Sequence, residues 1–221
     1  MAFDMQYDTL KSKQREIRGD FSENTGLRVH RALSWLGRAE LCGDDYDARF
    51  IFLWIAFNAA YADSDTFNDS ASSERSVYSA FFTKAVSHDD DHKIYDAIWT
   101  KFSGPIRSLM SNRYTFNGFW HHQNGVAGYE DWQDRFASSA KTFARAVQTK
   151  DTSLVLSKLF ERLYVLRNQI IHGGSTWNSV ANRSQVKDGA AILEFLMPIY
   201  IDIMMDNPTE DWGKPHYPVI K

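Results

Sequence analysis

The chain has 221 residues, 43% hydrophobic and 14% aromatic, with 25 basic against 28 acidic side chains and a net charge of −3. That composition excludes collagen-like and extended disordered chains, and suits one sizeable globular domain or at most two small ones. The single cysteine, Cys42, excludes an internal disulfide framework, and 12 glycines with 5 prolines leave few turns, which favours long helices over many short strands.

The opening MAFDMQYD carries acids where a secretion signal would carry a basic patch and an apolar run, so a reducing, cytoplasmic compartment is expected. The longest apolar stretches, residues 50–62 and 190–205, are too short or too interrupted (Asn58; Glu194, Pro198, Asp202) to cross a bilayer about 30 Å thick. Membrane and DNA are not expected partners. The charge is nevertheless uneven, because residues 135–187 hold nine basic and two acidic side chains inside an acidic chain.

No internal repeat or long linker divides the sequence, so residues 1–221 read as a single domain. Residues 1–24 form a polar N-terminal segment. Val29, Ala32, Leu33, Leu36 and Ala39 recur at three- and four-residue intervals, which predicts a helix over 25–41 ended by Gly43-Asp44-Asp45. Residues 47–61 (DARFIFLWIAFNAAY) are apolar nearly all round and too long for an ordinary strand, which predicts a helix buried on most sides. A polar stretch over 63–73 precedes a further helix over 74–86. The acids after Ser87 favour another helix start, carrying Ile94, Ile98 and Phe102 on one face and stopped by Gly104-Pro105.

Residues 112–128 read as an aromatic loop containing glycine and histidine. The helix over 129–148 should turn Trp132, Phe136, Ala140, Phe143 and Val147 inward. Asp151-Thr152-Ser153 supplies a cap for a helix over 153–172, which Gly173-Gly174 closes. A last apolar helix spans 183–206, bending near Pro198, and residues 207–221 form an extended tail.

The helix over 153–172 carries the chemistry. On a wheel of 100° per residue, Leu156, Leu159, Phe160, Leu163, Leu166 and Ile170 share one stripe, and Arg167 falls about 40° from its centre. A guanidinium there must snorkel past the stripe or enter a polar cavity. Asn168 and His172 are four residues apart on one face, where the amide can orient the imidazole. His172 lies in the last turn, at the carbonyl end of the helix, where a histidine is expected to serve as a group that gives and takes protons. An arginine fork, a histidine and an amide in a basic segment suit RNA cleavage by its own 2′-hydroxyl, with no cofactor or metal required.

The string Leu166-Arg167-Asn168-Gln169-Ile170-Ile171-His172-Gly173 resembles the signature of the HEPN superfamily (higher eukaryotes and prokaryotes nucleotide-binding domains), an arginine followed at the fifth place by histidine, with Asn often second. The segment 53–61 (LWIAFNAAY) resembles an aromatic-and-Asn helix found upstream in several prokaryotic HEPN groups. What the resemblance implies is an all-α, HEPN-like helical bundle with additional helices. It further implies frequent homodimerisation and, for many members, metal-independent endoribonuclease activity in toxin–antitoxin, phage-defence or RNA-processing settings. It makes Arg167 and His172 the catalytic pair and Asn168 their supporting residue, with RNA as substrate and an antitoxin protein as a possible partner. Not every member is active, so a non-catalytic helical interaction module is the alternative.

Four further residues are candidates for substrate binding. Asn58 lies amid apolar neighbours, where a buried amide must be hydrogen-bonded, and it could brace the Arg167 or His172 head; satisfaction by backbone or water is the other reading. Arg49, one turn before Phe52 and Leu53, could line the same cleft. Lys158 and Arg162 belong to the basic segment that would supply an RNA path. His88 and His92 share a spacing able to hold a divalent ion or simply open a helix. Tyr114, Phe116, Phe119 and Trp120 could stack unpaired bases or form a lid on the core.

Overall fold

The computed structural model describes residues 6–62 and 70–219. Among them the chain forms ten α-helices and no β-strand: α1 (Tyr7–Ile17), α2 (Glu23–Glu40), α3 (Tyr46–Tyr61), α4 (Ser70–Ser87), α5 (Lys93–Asp96), α6 (Ser103–Ser111), α7 (Asn117–Gln123), α8 (Trp132–Gln148), α9 (Thr152–Ile171) and α10 (Arg183–Asp206). The fold is all-α, and no described helix is long and apolar enough to cross a membrane.

Local side-chain caps set three of the helix starts, those of α2, α3 and α9. The side-chain oxygens of Ser22, Asp45 and Asp151 accept the amide protons of Thr25, Ala48 and Leu154 at 3.0–3.1 Å, satisfying donors that the first turn leaves unpaired. Around α3 and α10, apolar nearly all round, the other helices assemble. Phe57 lies 4.5 Å from Phe160 and 5.6 Å from Phe82 between ring centroids, and Trp54 lies 6.0 Å from Phe160 and 6.2 Å from Tyr164. Residue numbers falling along α3 thus meet numbers rising along α9, so the two helices run antiparallel. Gly189 lets α10 approach this seam: a Cβ there would lie 2.9 Å from Phe50 and 3.0 Å from Leu163.

Four expectations are corrected. The polar N-terminal segment contains α1, which buries Leu10 against the core and lays Tyr7 over Gly37, where a Cβ would sit 2.8 Å from the ring. Gly104-Pro105 opens α6 instead of stopping a helix: α5 is only one turn, runs into a π turn over Ala97–Lys101, and a new helix begins with Pro105 in its first turn, where its missing N–H costs nothing. The 112–128 loop contains a 3₁₀ turn (Arg113–Thr115) and α7. α8 starts at Trp132 and leaves Ala140 exposed while burying Phe143 and Ala146.

Through residue 219 the tail after α10 is non-helical but docked. Buried Trp212 packs 5.9 Å from Phe81, and the buried Arg28 donates to the carbonyls of Gly213 at 2.9 Å and Ala60 at 3.0 Å. The predicted polar stretch over 63–73 falls mostly outside the described residues.

Candidate functional site

The carboxyl end of α9 is held by its neighbours on both sides. Gln169 donates to the Tyr114 carbonyl at 2.8 Å and accepts from Asn182 at 3.0 Å. Beyond the helix, the indole N–H of Trp177 donates to Asp45 at 3.1 Å, and the Asn178 amide and the Arg183 guanidinium both donate to Asp47. The Ala48 amide, with Trp177 behind it, holds the Asp45 carboxyl below its ordinary range. The antiparallel course of α3 makes this possible, because its amino end lies where α9 finishes.

His172 ends the helix, its N–H donating to the Asn168 carbonyl at 3.0 Å, and Gly173 follows at φ +69°, a left-handed conformation that glycine adopts without a Cβ penalty. His172 is solvent-exposed. Arg167 is half-buried, its guanidinium 5.6 Å from the Tyr164 ring centroid, with Nη1 donating to Asn168 Oδ1 at 2.8 Å. Its Nε is buried with no hydrogen-bond partner. No carboxylate lies within ion-pair distance of Arg167 among the described residues. Asn168 therefore braces the arginine and not, as its i, i+4 spacing suggested, the imidazole. Five residues of helix place Arg167 and His172 about 140° apart around the axis and about 7.5 Å apart along it.

The other candidates go elsewhere. Asn58 lies one turn beyond Trp54 toward the end of α3, whereas Arg167 lies one turn beyond Tyr164 toward the end of α9. Because the helices run antiparallel, these steps add to about 10.5 Å along the axes, so Asn58 is not placed to brace Arg167 or His172. Its Oδ1 is buried and unpartnered, as is the neighbouring Trp54 Nε1. Arg49 has the right height but the wrong side, about 140° around α3 from Trp54. It pairs with Glu194 at 3.1 Å, donates to the Gly43 carbonyl, and lines a separate cleft of about 740 Å³ walled by α2, α3, α10 and the π turn.

The basic segment is not one continuous path. Lys158 is paired with Glu161 at 2.8 Å, Arg183 with Asp47 and Arg135 with Asp131 at 2.7 Å, while Arg162 is buried; Lys141 and Arg145 remain exposed on α8. The aromatic segment packs on itself: Phe119 is buried with its ring 5.4 Å from Tyr114 and 5.1 Å from Trp132, and the Trp120 indole donates to the Tyr114 carbonyl at 2.8 Å. His88 and His92 do not share a helix face. A turn separates them, His88 meets Glu210 at 3.0 Å, and His92 adopts a left-handed conformation before α5.

Sequence reasoning missed Asp45 and Asp47 as the anchors of the segment after His172. The signal was present for Asp47, which falls about 20° from Trp54 on the α3 wheel, an acid facing inward at the first turn of an apolar helix. No family model, curated protein or solved structure matches the chain.

Proposed function

We propose that the protein is a HEPN-type endoribonuclease acting as a homodimer, with the carboxyl ends of two α9 helices forming its active site. One observation carries the reading. At the end of α9, an arginine braced by Asn168 and unclaimed by any described carboxylate precedes by five residues an exposed imidazole that the helix end presents to solvent.

In this scheme His172 removes the proton of an RNA 2′-hydroxyl, and that oxygen attacks the adjacent phosphorus. The bond to the 5′-oxygen breaks, a 2′,3′-cyclic phosphate forms, and the leaving oxygen takes a proton from an imidazolium. Arg167 stabilises the charge that builds on the non-bridging oxygens through its planar fork. Both roles belong to side chains, so the reaction proceeds in EDTA. Because the two heads of one helix diverge, a two-fold pairing that brings Arg167 of one protomer to His172 of its partner supplies the convergence that a single helix lacks.

The test is incubation of purified protein and the His172→Ala variant with mixed RNA in EDTA, followed by end analysis. Fragments with cyclic phosphate ends from the wild type alone support the scheme, and a rate loss on the order of 10²–10⁴ is expected for the variant. Cleavage abolished by EDTA, or equal cleavage by both proteins, rejects it.

A non-catalytic interaction module is the second reading. It is favoured by the apolar side chains exposed around the same helix end, Ile171 at 48%, Trp177 at 73% and Val180 at 95%. On that reading, substitution of these three abolishes assembly with a partner protein while RNA is untouched by the wild type.

A further inference from the structure

About 15 Å before His172 along the axis of α9, a second arginine occupies a setting that the proposed cleavage does not use. Arg162 is 2% exposed. Among the described residues its hydrogen bond is from Nη2 to Ser139 Oγ at 3.2 Å, and its Nε is buried with no partner there. No carboxylate lies within ion-pair distance of it among the described residues, and adjacent Glu161 is occupied by Lys158 at 2.8 Å. The guanidinium is instead packed against aromatic rings, 4.7 Å from the centroid of Phe116 and 5.2 Å from that of Phe136. Burial draws its pKa down to about 10, which still leaves it cationic at neutral pH.

A buried cation with most of its donors unused is unfavourable unless an anion completes it. Space for one adjoins it. Arg162 lines a cavity of about 150 Å³ between α7, α8 and α9, whose wall also carries Asn117, Tyr129 and Arg135. The Asn117 amide nitrogen is 2.9 Å from His121 Nε2, and the His121 ring stacks 4.4 Å from Tyr129. Arg135 is paired with Asp131 at 2.7 Å through Nε and donates to the Gly128 carbonyl at 2.8 Å, with its guanidinium 4.9 Å from the Tyr129 ring, so the second cation is held in place with its charge partly offset. The Glu161 carboxylate also borders the cavity, its charge offset by Lys158. The volume falls below the roughly 300–1,000 Å³ of pockets that enclose whole small-molecule ligands, and equals about five waters, enough for one tetrahedral group.

From the buried Arg162, without an ion-pair partner among the described residues and facing a small cavity shared with Arg135 and Asn117, we infer that this pocket binds a single phosphoryl group. Two guanidiniums and an amide on different walls suit an anion with oxygens in several directions better than a planar carboxylate. The phosphoryl group can belong to a small phosphate or to the backbone of an RNA; the chemistry of capture is the same. The site does not depend on RNA cleavage, and the His172→Ala variant should retain it.

The experiment follows the side-chain Nε–H resonances of arginine by ¹⁵N NMR in the intact protein, with that of Arg162 assigned through Arg162→Lys. Titration with inorganic phosphate should shift the Arg162 signal saturably. Arg162→Lys, which keeps the charge and loses the fork, should bind phosphate about tenfold more weakly by ligand-observed ³¹P NMR. Arg135→Gln serves as the second variant, because the half-exposed Arg135 can be changed without opening the core, and it too should weaken binding. Displacement of phosphate by a short single-stranded oligoribonucleotide identifies the backbone as the source; phosphate binding that the oligonucleotide leaves intact identifies a small phosphate. An Arg162 resonance unmoved by both probes, or phosphate affinity unchanged in both variants, overturns the assignment.

Discussion

If catalysis uses Arg167 from one protomer and His172 from the other, two dead variants should rescue each other. The perturbation is Arg167→Ala in one preparation and His172→Ala in a second. Each homodimer then lacks one member of every site. In a mixed dimer, one composite site contains both alanines and the other contains an intact arginine and an intact histidine. Random exchange makes half of the dimers mixed, each with one working site of two, so the mixture should regain about a quarter of wild-type activity. The prediction follows from the helix itself: a separation of about 140° around the axis and about 7.5 Å along it turns the two heads apart within a chain. The Arg167 brace makes the geometry less adaptable, since swinging the guanidinium toward His172 breaks the 2.8 Å bond to Asn168, a charge-assisted hydrogen bond of about 1.5–3 kcal/mol. The assay is cleavage of a fluorescent RNA in EDTA after the two variants are mixed under conditions of subunit exchange, with each variant alone as baseline. Exposure of His172 means its replacement should change stability by no more than about 0.5 kcal/mol, so an inactive but folded variant is expected. Subunit exchange confirmed by labelled protomers, together with no rescue, would refute the composite geometry and require both groups to act from one helix.

Three further outcomes test the fold around the site. Tyr200 is fully buried with an unpartnered hydroxyl, and burial, then the nearby Asp89 charge, pushes its pKa well above the usual value. The native state therefore keeps a proton that the unfolded chain releases near pH 10, so the associated stability is complete below that pH and lost above it. Tyr200→Phe should reduce the slope of that loss by up to about 1.4 kcal/mol per pH unit in urea titrations, with little change at pH 7; an unchanged slope contradicts the assignment. Gly189→Ala places a Cβ 2.9 Å from Phe50, and the overpacking of about 1–3 kcal/mol should outweigh a helix-propensity gain of about 1 kcal/mol, lowering Tm by several degrees; a raised Tm would show that the seam can widen. Asp47→Ala removes the acceptor for Arg183 and the Asn178 amide, which should cost about 1–3 kcal/mol and accelerate hydrogen exchange over residues 176–183; unchanged exchange there would show that Asp47 does not anchor this segment.

Local signals located most helices because their causes are local. Asp151 and Gly173 mark the ends of α9 as a side-chain acceptor and a left-handed residue, and α10 occupies the predicted span from 183 to 206. α1 escaped notice because it buries little beyond Leu10 and Gln14, too narrow a stripe to show as a period. Gly104-Pro105 misled because proline ends one helix and begins another by the same property, its missing N–H. Within the candidate site, the wheel sets Arg167 inside the apolar stripe, and the structure leaves it half-buried.

Sequence alone determined the all-α class, the amphipathic stripe of α9 and the residues gathered at its carboxyl end, since periodicity, caps and breakers act over a few residues and need no partner. Tertiary structure alone decided which of those residues meet. The antiparallel register of α3 against α9 carries Asn58 away from Arg167 and brings Asp45 and Asp47 to the segment after His172, while the packing of α3 on α10 pairs Arg49 with Glu194. It also gives each basic side chain its surroundings, leaving Arg162 buried beside a cavity while Lys158 and Arg183 find carboxylates. A wheel orders side chains around one axis; their partners depend on how that axis is placed against others, and contacts between residues distant in the chain set that placement.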